Sequence, residues 1–438
     1  MKHGFLLLFF TFNTFAANFN GYIIKLKDNY SGNKSLGINA KSLNVSIGNF
    51  LLWKPVRKNI GPTLEEIKNH PSVEYIEPNW ELKNIGIVSE GPDVIGDDLF
   101  SKQWGLENTG KNSMGTFWQR PKKGVDIKAK KAWKITKGSK DIIIGVMDSG
   151  VLYTHPDLID NMWKNEAELN GIAGVDDDKN GYVDDINGYT PPGNKLPHPT
   201  DKSGHGTHTA GVIGMVHNSF GGRGINANIK IMPLKVKNDK DFKYYVENQV
   251  QAIDYAINKG VNVLTTSIGG GDYSKAYEDA IIKAGEAGIT FVTACGNENK
   301  NLNWQKIYPP SYNDKAENMI VVCHHGSGGK KHYLSNHGNK VATIMAPGSH
   351  IVSTAVSLNP GPDGLKTGIY KKMSGSSMAA PHVSGAVALL LSIEPNLSPE
   401  EVVERVIATA KKERKLKKHT ISGGRLDLFR LLNNTRSK

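Results

Sequence analysis

Six apolar runs, at 141–147, 229–236, 261–268, 289–295, 319–323 and 341–346, are rich in Val and Ile and show no polar alternation. Runs of this length without alternation predict strands buried on both faces of a parallel sheet. Between them, Val246 to Asn258 and Ala276 to Ala287 carry apolar residues at helical spacing. Strand and helix in alternation predict βαβ units with right-handed crossovers. Such sheets bind ligands at the carboxyl ends of their strands, where Asp148 and Asn297 both fall. A last helix is expected over Pro399–Thr409, after Ser398 as N-cap. Upstream, the pattern changes. Gly21 to Leu26 and Val73 to Asn79 read as strands, and Pro62 to Asn69 as a short helix with Glu65 and Glu66 early. Gly86 to Phe100 has no periodicity and reads as an exposed linker open to cleavage.

The first residues are Met-Lys-His, then the apolar stretch Phe5 to Phe12, then Thr14-Phe15-Ala16-Ala17. A basic start, a short apolar centre and small residues at the end predict a secretory signal peptide over 1–17. No later segment reaches the ~20 apolar residues a bilayer crossing needs, so an exported product, extracellular or periplasmic and without a membrane anchor, is expected. At 438 residues, the chain exceeds one average domain. The expected division is 1–17 leader, 18–100 a separate unit with its linker, and 101–438 the main domain. The formal charge of +12 does not point to nucleic acid. Much of the excess lies between Lys411 and Lys418, read as a solvated basic helix end, and no aromatic-interleaved basic patch accompanies it. Cys295 and Cys323 are the two cysteines. They are expected as buried free thiols, although a single bridge is geometrically feasible.

Three segments carry chemistry. They are Asp148-Ser149-Gly150-Val151, Gly204-His205-Gly206-Thr207-His208-Thr209-Ala210-Gly211 and Gly375-Ser376-Ser377-Met378-Ala379-Ala380-Pro381-His382. A serine hydroxyl is a weak nucleophile until a base takes its proton. His205, opening a helix, is the candidate base. Asp148 is the candidate for holding its tautomer. Ser377 precedes an apolar helix whose positive end faces its oxygen. Ser149, His208, Ser376 and His382 read as packing and backbone-bonding residues. The order Asp, His, Ser differs from that of chymotrypsin-like enzymes and α/β-hydrolases. A lipase would also need Gly-x-Ser-x-Gly, and a metalloprotease His-Glu-x-x-His; neither occurs.

With these motifs in this order, the chain from about Gln103 to about Leu432 resembles the subtilisin-like serine proteases, or subtilases. The resemblance implies an α/β fold with a mostly parallel central sheet flanked by helices, preceded by a small α+β propeptide domain. The Glu77-Pro78 step after the last upstream strand is similar to the end of that inhibitor-type propeptide. The implied activity is that of a secreted, monomeric serine endopeptidase acting on proteins or peptides through Asp148, His205 and Ser377, with its own propeptide as inhibitor. Asn297, in Ala294-Cys295-Gly296-Asn297-Glu298, would donate its amide to the oxyanion. Ser267-Ile268-Gly269-Gly270 would line the substrate backbone. Calcium is also implied: Asp157 and Asn218, completed by Gln103, resemble a family site. Separately, Asp176, Asp178, Asn180 and Asp184 match the oxygen-ligand spacing of a calcium loop, with Gly181 at the turn and Asn187 where a closing Glu would stand. The competing reading, a secreted calcium-binding pseudoprotease, requires a broken triad or a missing oxyanion Asn, and the sequence has neither.

Overall fold

The computed structural model describes residues 18–30, 36–55, 62–87, 89–94, 98–113, 120–194, 198–357 and 368–436. The expected leader, 1–17, lies outside them. The upstream unit contains β1 (Phe19–Leu26), β2 (Ala40–Ser42), β3 (Asn49–Trp53), α1 (Leu64–Lys68) and β4 (Val73–Asn84). Its strands pair antiparallel in the order β2-β3-β1-β4. Thr63 and Glu66 form a reciprocal capping box at the start of α1, satisfying two otherwise orphaned N–H groups. Ile24, Leu26, Leu51, Ile67 and Val73 pack between helix and sheet.

The main unit follows with β5 (Ser89–Asp93), α2 (Ala129–Ala132), β6 (Gly138–Asp148), α3 (Glu166–Leu169), α4 (His205–Gly214), β7 (Asn228–Lys235), β8 (Tyr244–Tyr245), α5 (Val246–Asn258), β9 (Val263–Thr266) and β10 (Ile268–Gly269). It continues with α6 (Lys275–Glu286), β11 (Thr290–Ala294), β12 (Met319–His325), β13 (Ile344–Pro347), β14 (Ile351–Val356), β15 (Gly368–Ser374), α7 (Ser376–Leu391), α8 (Pro399–Thr409), β16 (Lys411–Lys412), β17 (Gly424–Arg425) and α9 (Leu428–Leu432). The central sheet runs β7-β6-β9-β11-β12-β13-β17-β16, parallel up to the β16–β17 pair. Each expected apolar run forms one of its strands.

Strand order reverses at β6, with β7 on one side and β9 on the other. That opens a crevice at the carboxyl end of β6, where Asp148 sits. Helices α4 and α7 share one core with the sheet, while α5 and α6 pack into the second. Helix α7 is buried along its whole length, as a helix apolar on every side must be.

Three expectations need correction. The 86–100 stretch is not simply an exposed linker: β5 pairs antiparallel with β15, and Gly86 is buried. Its polar residues hid the strand because it sits at a sheet edge. Lys411 to Lys418 is not a helix end. Ala410 leaves α8 in extended conformation, and Lys411 and Lys412 pair with Gly424 and Arg425. Nor are the cysteines free: Cys295 and Cys323 form a disulfide with Cα atoms 5.2 Å apart. β11 and β12 are adjacent, and Ala294 lies opposite Val322, so the next residues on each strand face one another within bridging range.

Candidate active site

The strand end of β6 supplies Asp148, the first turn of α4 His205, and the first turn of α7 Ser377. His205 Nδ1 lies 2.7 Å and 2.8 Å from the two carboxylate oxygens of Asp148. The close approach of α4 to β6 requires glycine: a Cβ at position 206 would lie 2.0 Å from Gly150 O. Burial alone would push the imidazole pKa down. The charge and hydrogen bonds of Asp148 outweigh it, so the pKa of His205 stands above the ordinary value. With Nδ1 committed to Asp148, the buried Nε2 has no hydrogen-bond partner among the described residues, Ser377 included.

Neighbouring residues hold this frame. The Ser149 hydroxyl donates to Asp201 at 2.9 Å and accepts from the Gly206 N–H at 3.1 Å. The Ser376 hydroxyl accepts from the Gly296 N–H at 3.1 Å. His208 meets Ile351 O at 3.1 Å and His382 meets Met378 O at 2.7 Å. Burial pushes their pKa values down to about 3 and about 4, so both are neutral structural imidazoles.

The chain's own β4 runs into this crevice. Its end lies between two antiparallel partners: Glu81 and Leu82 oppose Tyr245 and Tyr244 of β8, and Lys83 and Asn84 oppose Gly269 and Ile268 of β10. Beyond β4, the Ile85 N–H donates to Ser267 O at 3.0 Å, and the Asn297 Nδ2 amide donates to Ile85 O at 3.0 Å. Asn297 Oδ1 accepts from the Ser376 N–H at 3.1 Å. The Ser377 N–H donates to Gly86 O at 3.0 Å. The Ser377 hydroxyl lies 3.5 Å from Asn84 Oδ1, whose oxygen also accepts from the Gly86 N–H at 2.9 Å. Of the predicted backbone-binding segment, Ser267, Ile268 and Gly269 thus contact β4 and its continuation. Gly270 lines the crevice: a Cβ there would lie 3.1 Å from Ile85 Cγ2.

Residues 139–424 match the description "Subtilase family". The chain belongs to the subtilase family. It is 33% identical over 307 residues to "Subtilisin-like protease 1" of Plasmodium berghei (strain Anka), an alignment covering 66% of this chain and 49% of that protein. It is 30% identical over 287 residues to "Subtilisin DY" of Bacillus licheniformis, covering 65% of this chain and 89% of that one. The subtilase chain here therefore spans about half the length of the Plasmodium berghei relative. Among solved structures, fervidolysin from Fervidobacterium pennivorans, "a keratinolytic enzyme related to subtilisin", superposes with a TM-score of 0.69 at 22% identity, covering 96% of this chain and 62% of that one. That likeness shows the fold.

Of the residues expected to hold cations, the subtilase chain brings some together and not others. Asp157 is fully buried and accepts hydrogen bonds from Asn218 Nδ2 at 2.9 Å, the Gly222 N–H at 3.1 Å and the Tyr370 hydroxyl at 3.1 Å. Burial raises its pKa despite these donors. Gln103 binds the same loop, its Oε1 accepting from the Arg223 N–H at 2.8 Å. A buried carboxylate with no Lys or Arg partner among the described residues carries a charge that a cation would balance, although the groups around it here are hydrogen-bond donors.

In the acidic loop, Asp176 and Asp178 come together with Glu168, their oxygens all within 4.8 Å of one another. The sequence reading missed Glu168, which lies on α3 ahead of the loop. Its two oxygens accept from the backbone N–H groups of Asp177, Asp178 and Asp184. Asp184 does not join the carboxylates: its own oxygens turn to the Gly174 N–H. The Asn180 side chain bonds Asp185 and the Tyr182 N–H. Lys259 pairs with Asp178 and, against burial, lowers its pKa, so this loop already holds part of its charge balance within the chain.

Proposed function

We propose that this chain is a serine endopeptidase made as a secreted precursor, with 1–17 as leader, 18–85 as an inhibitory propeptide with its adjoining linker to about 100, and the remainder as the catalytic domain. The observation that carries the reading is the seating of Ile85 between Ser267 O and the Asn297 amide, with Gly86 O on the Ser377 N–H and Asp148 paired to His205. A strand added by backbone hydrogen bonds on both sides is how a peptide substrate is read. The subtilase membership supports the same chemistry.

In this mechanism Asp148 fixes the tautomer of His205 and stabilises the imidazolium. The partnerless Nε2 takes the Ser377 proton, and Oγ attacks the carbonyl carbon to form an acyl-enzyme. The Asn297 amide, joined by the Ser377 N–H once that group leaves Gly86 O, holds the oxyanion. His205 then returns its proton to the leaving amine, and water, activated by the same base, releases the acyl group.

Calcium is proposed as a structural ligand at Asp157, with Asn218 and Gln103 alongside, and at Glu168, Asp176 and Asp178. Bound there, it supplies positive charge that stabilises the loops and takes no part in bond breaking. Ser377→Ala tests the reading. It should abolish hydrolysis of casein and leave the precursor uncut; hydrolysis at the native rate would remove Ser377 as nucleophile.

A further inference from the structure

A side-chain amide stabilises a developing charge only as well as the backbone beneath it is held, and a misplacement of about 1 Å costs about a hundredfold in rate. Asn297 stands on a backbone that needs outside support: beyond the end of β11 at Ala294, residues 295–300 form neither helix nor strand. Resting on the peptidase reading, we propose that Asn336 is a positioning residue of this reaction, which fixes the Asn297 amide through the carboxylate of Glu298 and does not itself touch the peptide.

Asn336 lies between β12 and β13 and is fully buried. Among the described residues, its side-chain hydrogen bonds all go to the loop that carries Asn297. Nδ2 donates to Cys295 O at 2.9 Å and to Glu298 Oε2 at 2.8 Å. Oδ1 accepts from the N–H groups of Glu298 at 3.0 Å and Lys300 at 2.7 Å. These contacts use both donors and both lone pairs that the amide possesses. The Asn336 N–H also donates to Gly296 O at 3.1 Å. The fit is close: a Cβ at position 296 would lie 2.5 Å from Asn336 Nδ2.

Glu298 completes the link. Its Oε2, held by Asn336, also accepts the Asn297 N–H at 3.0 Å. Asn297 is thereby tied at its N–H to Glu298 and at Oδ1 to the Ser376 N–H, and these two ties leave Nδ2 as the donor facing the crevice. The support is itself anchored to the sheet. Ser335 Oγ accepts from the N–H of His324, near the end of β12, at 3.1 Å and donates to Asn336 O at 3.0 Å. The disulfide reaches the loop at one end, Cys295. Asn336 reaches it at Cys295, Gly296, Glu298 and Lys300.

The consequence is a rate defect without a binding defect. Asn336→Ala orphans the Glu298 and Lys300 N–H groups and releases the Glu298 carboxylate, so kcat should fall about ten- to a hundredfold, with KM changing about threefold at most. Because Asn336 works through Asn297, the two losses should not multiply: in an Asn297→Ala background the same substitution should lower kcat by about threefold at most. A residue that merely supports the fold would instead lower the melting midpoint and leave kcat alone, or lower kcat by the same factor in both backgrounds.

The test is steady-state hydrolysis of a chromogenic peptide by the matured protein, well below the melting midpoint, with alanine at 297, at 336 and at both. A trace of native protein on resin, later removed, matures any precursor that cuts itself slowly. Glu298→Ala, a change at an exposed residue, runs the same cycle and decides the matter if Asn336→Ala does not fold. Glu298→Gln keeps an acceptor and should recover most of the kcat that Glu298→Ala loses. Labelling of Ser377 by a fluorophosphonate is followed in parallel. An unchanged kcat in either alanine variant, a loss confined to KM, or equal factors with and without the Asn297 side chain, in a native protein that hydrolyses the peptide and takes the label, overturns this inference and leaves the peptidase reading standing. A native protein that does neither overturns the peptidase reading itself.

Discussion

Asn297→Ala removes one donor and one acceptor at once, and the two losses have separate consequences. The donor, Nδ2, lies 3.0 Å from Ile85 O. Against a neutral carbonyl, a net hydrogen bond contributes about 0.5–1.5 kcal/mol. Against the oxyanion that develops on the same atom, such a donor contributes about 2.7–4 kcal/mol, or roughly 10² to 10³ in kcat. The difference belongs to the transition state, so kcat should fall by two to three orders of magnitude, with KM changing about tenfold at most. The acceptor, Oδ1, takes the Ser376 N–H at 3.1 Å. Alanine orphans that N–H at a cost of about 1–3 kcal/mol of stability. The assay is steady-state hydrolysis of a chromogenic peptide well below the melting midpoint, with the midpoint measured for each variant. Asn297→Asp keeps the acceptor and loses the donor, so it should recover stability without recovering kcat. An unchanged kcat in the alanine variant, a loss confined to KM, or recovery of kcat in the aspartate variant would refute the oxyanion role.

Other outcomes can be checked independently. Asp157→Asn removes a buried charge and also turns an amide NH2 toward donors that the carboxylate satisfied, the Asn218 amide on one side or the Gly222 N–H and Tyr370 hydroxyl on the other. It should lose the rise in melting midpoint that calcium gives the native protein by binding only the folded state. Since burial raises the pKa of Asp157, lowering pH through that value neutralises the carboxylate, which relieves the chelated protein and shrinks the calcium increment; an increment independent of pH, or equal in the variant, would refute the site. Asn84 Oδ1 stands close to the Ser377 hydroxyl in place of His205 and also accepts the Gly86 N–H, so Asn84→Ala should speed the first self-cut, and a slower cut seen by gel densitometry would contradict this braking role. The segment 18–85, added in trans, should compete with peptide substrate and speed refolding of the catalytic region, whose sheet joins distant segments. Its Glu77 accepts from Ser274 Oγ and from the N–H groups of Lys275 and Ala276 at the start of α6, so Glu77→Ala should weaken inhibition in a dose–response assay; equal potency would remove that contact from the interface.

What the sequence revealed follows from what each feature depends on. The triad candidates were legible because each lies in a local motif beside glycine or small residues, and the local chain determines the turn that presents it. The six central strands were legible because burial on both faces leaves apolar runs with few polar positions, such as Lys230 and Lys235 in β7. Glu168 was hidden because it stands on the four-residue α3, outside the loop whose spacing suggested a cation. The disulfide depends on β11 lying next to β12, and the β5 edge on pairing with residues nearly 300 positions away. The seating of Ile85 was illegible for the same reason. Nothing in Asn84-Ile85-Gly86 as a string distinguishes it from linker until β4 is paired with β8 and β10.

The central claim is that Ser377 is a nucleophile activated by His205 and Asp148. The most direct measurement is covalent modification of the folded, matured protein by a fluorophosphonate, with the adduct located by peptide mass spectrometry. The account predicts one adduct, on Ser377, lost on denaturation and strongly slowed in His205→Ala. An adduct on another residue, or labelling of Ser377 at the same rate without His205, would contradict it.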